Sequence, residues 1–425
     1  MILKLLLLLS SLLFLLTGCR NASELLHKVI IPKNHNYTMS NQALNQCNIA
    51  KAMTLSDKNE NNFLKNSELG LGAYFHYAHS ASNKYFDNAI NIYRQNENKA
   101  LFDISTFLRK EYQEEGYDKV FLHNYKAINY LMMGKVEAAR VESKNANLLQ
   151  EEERKKLHKF KAENKNNKTT PFLSRYEKLF NQVNPKHMPY QNPFAYYVSA
   201  LTYAEDGDYD NALVDIRQAL TFFPNAMILK NKLIAYEKQE KEHSVELFFD
   251  IGEAPLKAEK KLELIMGKGE KRMAYLPSYS LKKSLIDHIK IINSKGIEVS
   301  RTSLLVDINA IKINDFKEKL STILYLITKE ASLSTLANEL TDNPLAPLLK
   351  IGTTIYGQKK IGTWSFLPQK ILVSSFKPQK DETYSMHIMS QKNKVIEKKY
   401  LELKHSNKTK NIYKHFTIRK NNICY

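Results

Sequence analysis

The apolar residues of this chain follow three patterns in succession. An apolar run over residues 5–16 comes first. Between residues 68 and 239, apolar residues recur at intervals of three and four, which predicts amphipathic helices. From residue 240 onward the pattern changes, and an alternation over residues 245–250 predicts a β-strand. We therefore predict an α+β fold, with a helical domain over 68–239 followed by a β-rich α+β domain over 240–425.

The second half of the chain is predicted to contain a mostly antiparallel sheet and two helices. One amphipathic helix is indicated by Ile313, Phe316, Leu320, Ile323, Leu324 and Ile327, and another covers about 347–356. Strands are expected near residues 298–308, 364–376, 384–389, 395–401 and 415–419. Trp364, the only tryptophan, is expected to anchor either the core of this domain or the interface between the two halves.

The helical half contains an internal repeat. Its clearest copy covers residues 193–225, in which small, aromatic and turn residues stand at Tyr196, Ala200, Tyr203, Gly207, Tyr209, Ala212, Ala219, Leu220 and Pro224. This copy resembles a tetratricopeptide (TPR) repeat, a helical hairpin of about 34 residues. A less complete copy covers about 120–151, and a degenerate one covers about 69–96. Three hairpins meet the usual minimum for a stable stack.

The resemblance to these repeats implies a groove along the first helix of each hairpin. The residues at the groove positions are Phe121, Asn124, Ile128, Leu131, Phe194, Tyr197 and Leu201. In this family of repeats such a groove commonly binds a peptide. With so few repeats, the C-terminal domain could fill the groove instead, and the sequence leaves both alternatives open.

Two segments of the first half lie outside the repeats. Residues 19–67 are polar and asparagine-rich, and we interpret them as a tether whose later portion can join the first helices. Residues 150–191 form an insertion that begins with three glutamates followed by basic residues. This charge order favours an extended, solvated helix.

The N-terminus has the organisation of a signal peptide, because Lys4 precedes a short apolar run and small residues follow it. Leu16, Thr17, Gly18 and Cys19 resemble the lipobox of bacterial lipoproteins. The resemblance implies cleavage after residues 1–18, acylation of Cys19, and attachment to the membrane by lipid rather than by a helix. Arg20, in place of an aspartate, implies an outer-membrane location facing the periplasm.

Three further stretches, at residues 124–147, 252–257 and 364–370, resemble an uncharacterised family of Gram-negative lipoproteins with TPR-like repeats. The similarity covers most of the mature chain. The family has no established activity or catalytic residues that could be transferred. Its members imply an envelope role only.

Charge and cysteine content narrow the range of partners. The chain has 63 basic and 44 acidic residues, giving a net charge of +19. Most of the basic residues are lysines spread along the chain, whereas phosphate recognition favours arginine, and export argues against nucleic acid as a partner. We interpret this even spread as compositional, with an electrostatic role at anionic lipid or a cell-wall polymer as the alternative. Cys47 and Cys424 could form a disulfide in an oxidising compartment, but the sequence does not decide whether they meet.

The sequence contains no motif for catalysis or for a cofactor. His76 and His79 have a spacing that could hold a metal, yet no third ligand stands at a matching offset, so we predict no metal site. The leading hypothesis is a non-enzymatic, membrane-anchored lipoprotein that binds an envelope protein or peptide. Two alternatives remain: a cell-wall-remodelling enzyme or its activator, and a structural component of a secretion or surface assembly.

Overall fold

A computed structural model describes residues 37–99, 114–163, 176–241, 243–265, 271–320, 362–403, 411–420 and 422–424. Helices occupy the N-terminal half and sheets occupy the C-terminal half. The predicted mixed α+β fold is therefore confirmed. The lipobox and the predicted helix over 347–356 lie outside the described residues.

The helices of the first half follow one another with short turns between partners. They are α1 (Tyr37–Asn45), α2 (Ile49–Ser56), α3 (Asn62–Phe75), α4 (His79–Lys99), α5 (Gly116–Met132), α6 (Val136–Glu163), α7 (Pro193–Glu205), α8 (Tyr209–Phe222) and α9 (Met227–Glu237). Three pairs form hairpins: α3 with α4, α5 with α6, and α7 with α8. Gly134 and Gly207 close two of these turns with φ of 69° and 79°, a conformation that favours glycine. Asp208 caps α8 by accepting a hydrogen bond from the Asn211 amide.

From residue 37 onward the segment interpreted as a tether is helical, and this later portion joins the first helices. Helices α1 and α2 contribute Leu44 and Ile49 to the main hydrophobic core, beside Phe63 and Leu64 of α3. The apolar faces of α1 and α2 are difficult to recognise in the sequence, because each helix is short and has only a few buried side chains among many asparagines. Residues 19–36 lie outside the described residues.

The charged insertion begins as a helix, as predicted. Helix α6 continues to Glu163, and Arg154 pairs with Glu151 at 2.7 Å on its exposed side. Neighbouring charges of opposite sign stabilise such a solvated helix.

The described residues of the second half form three sheets. Its strands are β1 (Val245–Ile251), β2 (Lys257–Ile265), β3 (Lys271–Tyr279), β4 (Ile286–Asn293), β5 (Glu298–Arg301), β6 (Ser303–Asp307), β7 (Lys370–Phe376), β8 (Tyr384–Ser390), β9 (Val395–Leu401), β10 (Ile412–Arg419) and β11 (Asn422–Cys424). A helix, α10, covers residues 308–320 and includes the predicted apolar positions Ile313, Phe316 and Leu320. The other predicted positions, Ile323, Leu324 and Ile327, lie outside the described residues. Strands β2, β3 and β4 have no counterpart in the sequence prediction.

The sheets are arranged in layers. The five-stranded sheet has the order β11-β10-β1-β7-β6, the four-stranded sheet has the order β5-β4-β8-β9, and β2 pairs with β3. Strands β1 and β10 are parallel, whereas the other pairs are antiparallel. One face of β1 places Phe248 in the core shared with the helices, and the other face places Leu247 and Phe249 against the four-stranded sheet.

Residues Tyr37–Tyr425 form one compact unit, and the core does not divide at residue 240. Trp364 is completely buried among aromatic rings of the helices, with its ring centroid 6.1 Å from that of Phe86 and 6.4 Å from that of Tyr125. Of its two predicted roles, Trp364 therefore has the one at the interface between the halves.

A disulfide joins the two ends of this unit. Cys47, in the turn between α1 and α2, is bonded to Cys424 in β11, with the Cα atoms 4.9 Å apart and 377 positions separating the residues. A covalent link between such distant positions restricts the unfolded chain strongly.

We predict that the free energy of unfolding of the variant Cys47→Ser/Cys424→Ser is lower than that of the wild type by about 2 to 5 kcal/mol, because the long loop is no longer closed. Thermal unfolding with and without a reductant measures this. Reductant should lower the Tm of the wild type and leave the double variant unchanged. An equal Tm for the two oxidised proteins would contradict the prediction.

A buried carboxyl group makes stability depend on pH. Glu68 of α3 is fully buried and accepts a 2.5 Å hydrogen bond from the Ser365 hydroxyl. Burial raises the pKa of Glu68 from its ordinary 4.5 to about 7, against the opposing effect of its hydrogen bonds. The folded state therefore retains a proton that the unfolded chain releases at lower pH.

We predict that the wild type loses stability as pH rises from 4.5 to 7 through the titration of Glu68, by about 3 kcal/mol for a shift of this size. In Glu68→Gln the side chain stays neutral and can still accept from Ser365, so this part of the pH dependence should disappear. Urea unfolding of both proteins across the pH range checks it. Parallel stability curves for the two proteins would contradict the assignment.

Candidate functional site

The predicted groove is not an open surface. Phe121, Asn124, Ile128, Leu131, Phe194, Tyr197 and Leu201 are all buried, none more than 4% exposed. Of the two alternatives that the sequence leaves open, an accessible peptide groove along these residues is therefore wrong.

The five-stranded sheet covers this face of the helices. The Tyr197 hydroxyl donates to Glu246 of β1 at 2.7 Å, and the Phe194 ring packs edge-on against Phe248 at a centroid distance of 6.1 Å. Tyr125 of α5 donates to Asp250 of β1 at 3.1 Å. Strand β1 thus occupies the position that a bound peptide would take in the predicted groove.

An open cleft lies at the end of the helical stack. It runs between α9 and the strands β5, β6 and β7, and consists of two adjoining depressions of about 510 and 570 Å³ that share Met227 and Arg301. We call it the α9 cleft. Its volume is in the range of small-molecule and peptide-anchor pockets.

The walls of the α9 cleft combine apolar and cationic side chains. Met227 is 61% exposed and Val299 is 37% exposed, on opposite sides of the cleft. Arg301 and Lys377 lie at the rim, where they pair with Glu298 at 2.8 Å and Glu240 at 3.3 Å. Exposed ion pairs of this kind contribute little to stability, so the cations can exchange these partners for those of a ligand.

The floor of the cleft contains a buried charge cluster. Lys232 of α9 lies 2.6 Å from Oε1 of Glu246, and the same oxygen accepts from the hydroxyls of Ser244 at 2.6 Å and Ser375 at 2.8 Å. The other oxygen accepts from Tyr197. Both charged side chains are almost completely buried, so each depends on the other for compensation.

The pairing of Lys232 with Glu246 leaves neither group suited to act as a base. Burial raises the pKa of Glu246, but Lys232 and the hydrogen bonds outweigh it and hold the pKa below its usual value. Glu246 is therefore a poor general base near neutral pH. Lys232 stands 3.4 Å from the Ser244 hydroxyl, yet an ammonium paired with a carboxylate cannot accept the serine proton.

Sequence reasoning missed this cluster. The signal was present in two places: Glu246 and Asp250 interrupt an otherwise apolar strand, and Lys232 stands at helical spacing from the apolar residues Ile228, Leu229, Ala235 and Tyr236. A polar residue in such a context predicts a buried partner, but it does not identify the partner.

The remaining site predictions concern metals and the membrane. His79 donates a 2.7 Å hydrogen bond from Nδ1 to the amide oxygen of Asn129. Among the described residues, no group of three or more His, Cys, Asp or Glu side chains is arranged to hold a metal ion. In the same residues, no helix is both long and apolar enough to span a bilayer. Leu16, Thr17, Gly18 and Cys19 lie outside the described part of the chain.

Comparison with known proteins found no matching family model, no similar curated protein and no similar solved structure.

We predict that Lys232→Met and Glu246→Gln each destabilise the protein, the lysine substitution by about 3 to 5 kcal/mol because it leaves a buried carboxylate uncompensated. The free energy of unfolding of the double variant should fall by less than the sum of the two single losses, since neither charge is then buried without its partner. Urea unfolding measures all three.

The exposed pair Arg217–Glu237, at 3.1 Å with both side chains about half exposed, is the matched control. Arg217→Met should change the free energy of unfolding by no more than about 1 kcal/mol. Additive losses at Lys232 and Glu246 would show that the two charges are not coupled.

Proposed function

We propose that this chain is a lipid-anchored lipoprotein of the bacterial outer membrane, facing the periplasm, that acts as a non-enzymatic scaffold for an envelope protein or peptide. The observation that carries the proposal is the α9 cleft. It presents an exposed apolar side chain, Met227, beside cationic rim residues, above a charge cluster that is unsuited to nucleophilic chemistry. Apolar anchors surrounded by polar groups are the common form of protein-binding surfaces.

The helical half would be a short TPR-like stack. Ala127, Ala139, Ala200, Ala212 and Ala219 are fully buried at 0% exposure. Small residues at these places let paired helices approach closely, which is the packing that the repeat pattern requires. In this proposal the stack supports a binding surface at its end, since the sheet occupies the groove.

Two features support an exported, tethered protein. The Cys47–Cys424 disulfide is of the kind that persists in oxidising compartments. The lipobox, with acylation at Cys19, would hold the folded unit near the membrane and raise its effective concentration toward membrane partners. The proposed mechanism is therefore confinement followed by recognition in the α9 cleft.

We predict that Met227→Glu abolishes capture of an envelope partner, because a carboxylate replaces the exposed apolar side chain of the cleft. A photo-crosslinking residue placed at Asn231, on the cleft wall, is introduced into the full chain expressed in its native host. Crosslinked partners are identified by mass spectrometry. Cys19→Ala, which removes the lipid, should reduce the yield of the same partner.

Val214→Glu is the matched control, because Val214 is also exposed, at 62% against 61% for Met227, and does not line the cleft. It should leave the crosslink intact. Equal yields from Met227→Glu and Val214→Glu would rule out recognition through the α9 cleft.

A further inference from the structure

The register of the four-stranded sheet brings basic side chains together in one row. Lys290 of β4 stands directly opposite Arg301 of β5 on one side and His387 of β8 on the other. His387 in turn stands opposite Lys398 of β9. The row of Arg301, Lys290, His387 and Lys398, which we call the basic row, therefore crosses all four strands.

The basic row lies on the exposed face of this sheet. Alternate residues of the same strands, including Ile289, Ile291, Met386 and Ile388, pack into the core between the two sheets. Because side chains alternate across a strand, the row projects away from that core. Lys398 is exposed, and the Arg301 side chain is 51% exposed.

The charges of the row are only partly compensated. Like charges directly opposite each other destabilise a sheet, so such a row is not explained by stability. Glu298 pairs with Arg301 at 2.8 Å and with Lys290 at 3.1 Å. At the other half of the row, burial lowers the pKa of His387, and Lys398 and Lys290 lower it further. The His387 side chain thus lies in a positive field.

Exposed apolar side chains accompany the row. Ile297 is 57% exposed, Val299 is 37% exposed and Tyr400 is 63% exposed, on the β4–β5 hairpin and on β9. The row spans about 14 Å across the four strands, given their usual spacing. The lysine and arginine cations of this row, with aromatic and aliphatic neighbours, have the chemistry of proteins that lie on a membrane surface.

We propose that the exposed face of the four-stranded sheet binds an anionic phospholipid surface. The basic row contacts the phosphate headgroups, and Ile297, Val299 and Tyr400 enter the interfacial region. A soluble anionic polymer would match the charges, but the exposed apolar side chains favour lipid. This contact does not require the lipid at Cys19 or a partner in the α9 cleft, so it would add a second attachment that orients the folded unit.

The test uses a chain that begins at Tyr37, because residues 37–425 form one compact unit and this chain cannot be acylated at Cys19. Its folding is verified by circular dichroism and thermal unfolding. Cosedimentation then measures binding to vesicles of phosphatidylcholine mixed with phosphatidylglycerol, and to vesicles of phosphatidylcholine alone. We expect binding to the anionic vesicles only, weakened by salt because the contact is electrostatic.

The variant Lys290→Gln/Lys398→Gln should weaken this binding by about tenfold or more, while Arg301, which also lines the α9 cleft, is left intact. Lys84→Gln/Lys144→Gln removes the same charge from exposed helical positions and should bind as the wild type does. Equal losses in both variants, or equal binding to the two vesicle types, would overturn the proposal. So would retention on dextran sulfate without binding to anionic vesicles, which would instead indicate a polymer ligand.

Discussion

Strand β1 is buried on both faces, and this burial constrains the rest of the structure. Its apolar side chains can pack on either side, but Glu246 and Asp250 point toward the helices and need partners there. Lys232 and Tyr197 supply them for Glu246, and Tyr125 supplies one for Asp250. Because an uncompensated buried charge is costly, helices and sheet can pack together in few ways other than this one.

The neighbouring strand β10 also directs buried polar side chains toward the helices. Arg419 is fully buried, donates to the Phe366 carbonyl at 2.6 Å and lies over the Phe75 ring. His415 is stacked between Tyr74 and Tyr77, with ring centroids 3.8 and 4.4 Å away, and burial lowers its pKa well below the usual value. Stacking between two aromatic faces suits a neutral imidazole, although neither ring nitrogen of His415 has a hydrogen-bond partner among the described residues. The parallel pair of β1 and β10 thus forms a polar seam matched to the helices.

This seam limits where the proposed partner could bind. The molecule's own sheet covers the helical face that forms the groove in a repeat protein. A proposed ligand would therefore bind at the end of the helical stack or on the exposed face of the four-stranded sheet. The α9 cleft and the basic row share Arg301, which connects the two surfaces. A tether at Cys19, a lipid-facing sheet and a cleft for a protein partner would together hold the scaffold in a defined orientation at the membrane.

The sequence by itself determined the local structure. The spacing of three and four identified the hairpins α5–α6 and α7–α8, the alternation identified β1, and α10 began near its predicted apolar positions. These patterns depend on neighbouring residues.

The sequence did not determine strands β2, β3 and β4, the inclusion of α1 and α2 in the core, the burial of the groove or the composition of the α9 cleft. Those features depend on pairings such as Val245 with Ile412 and Cys47 with Cys424, in which residues far apart in the chain meet. Only the tertiary structure decides such pairings, because the free energy of each depends on what covers the opposite face.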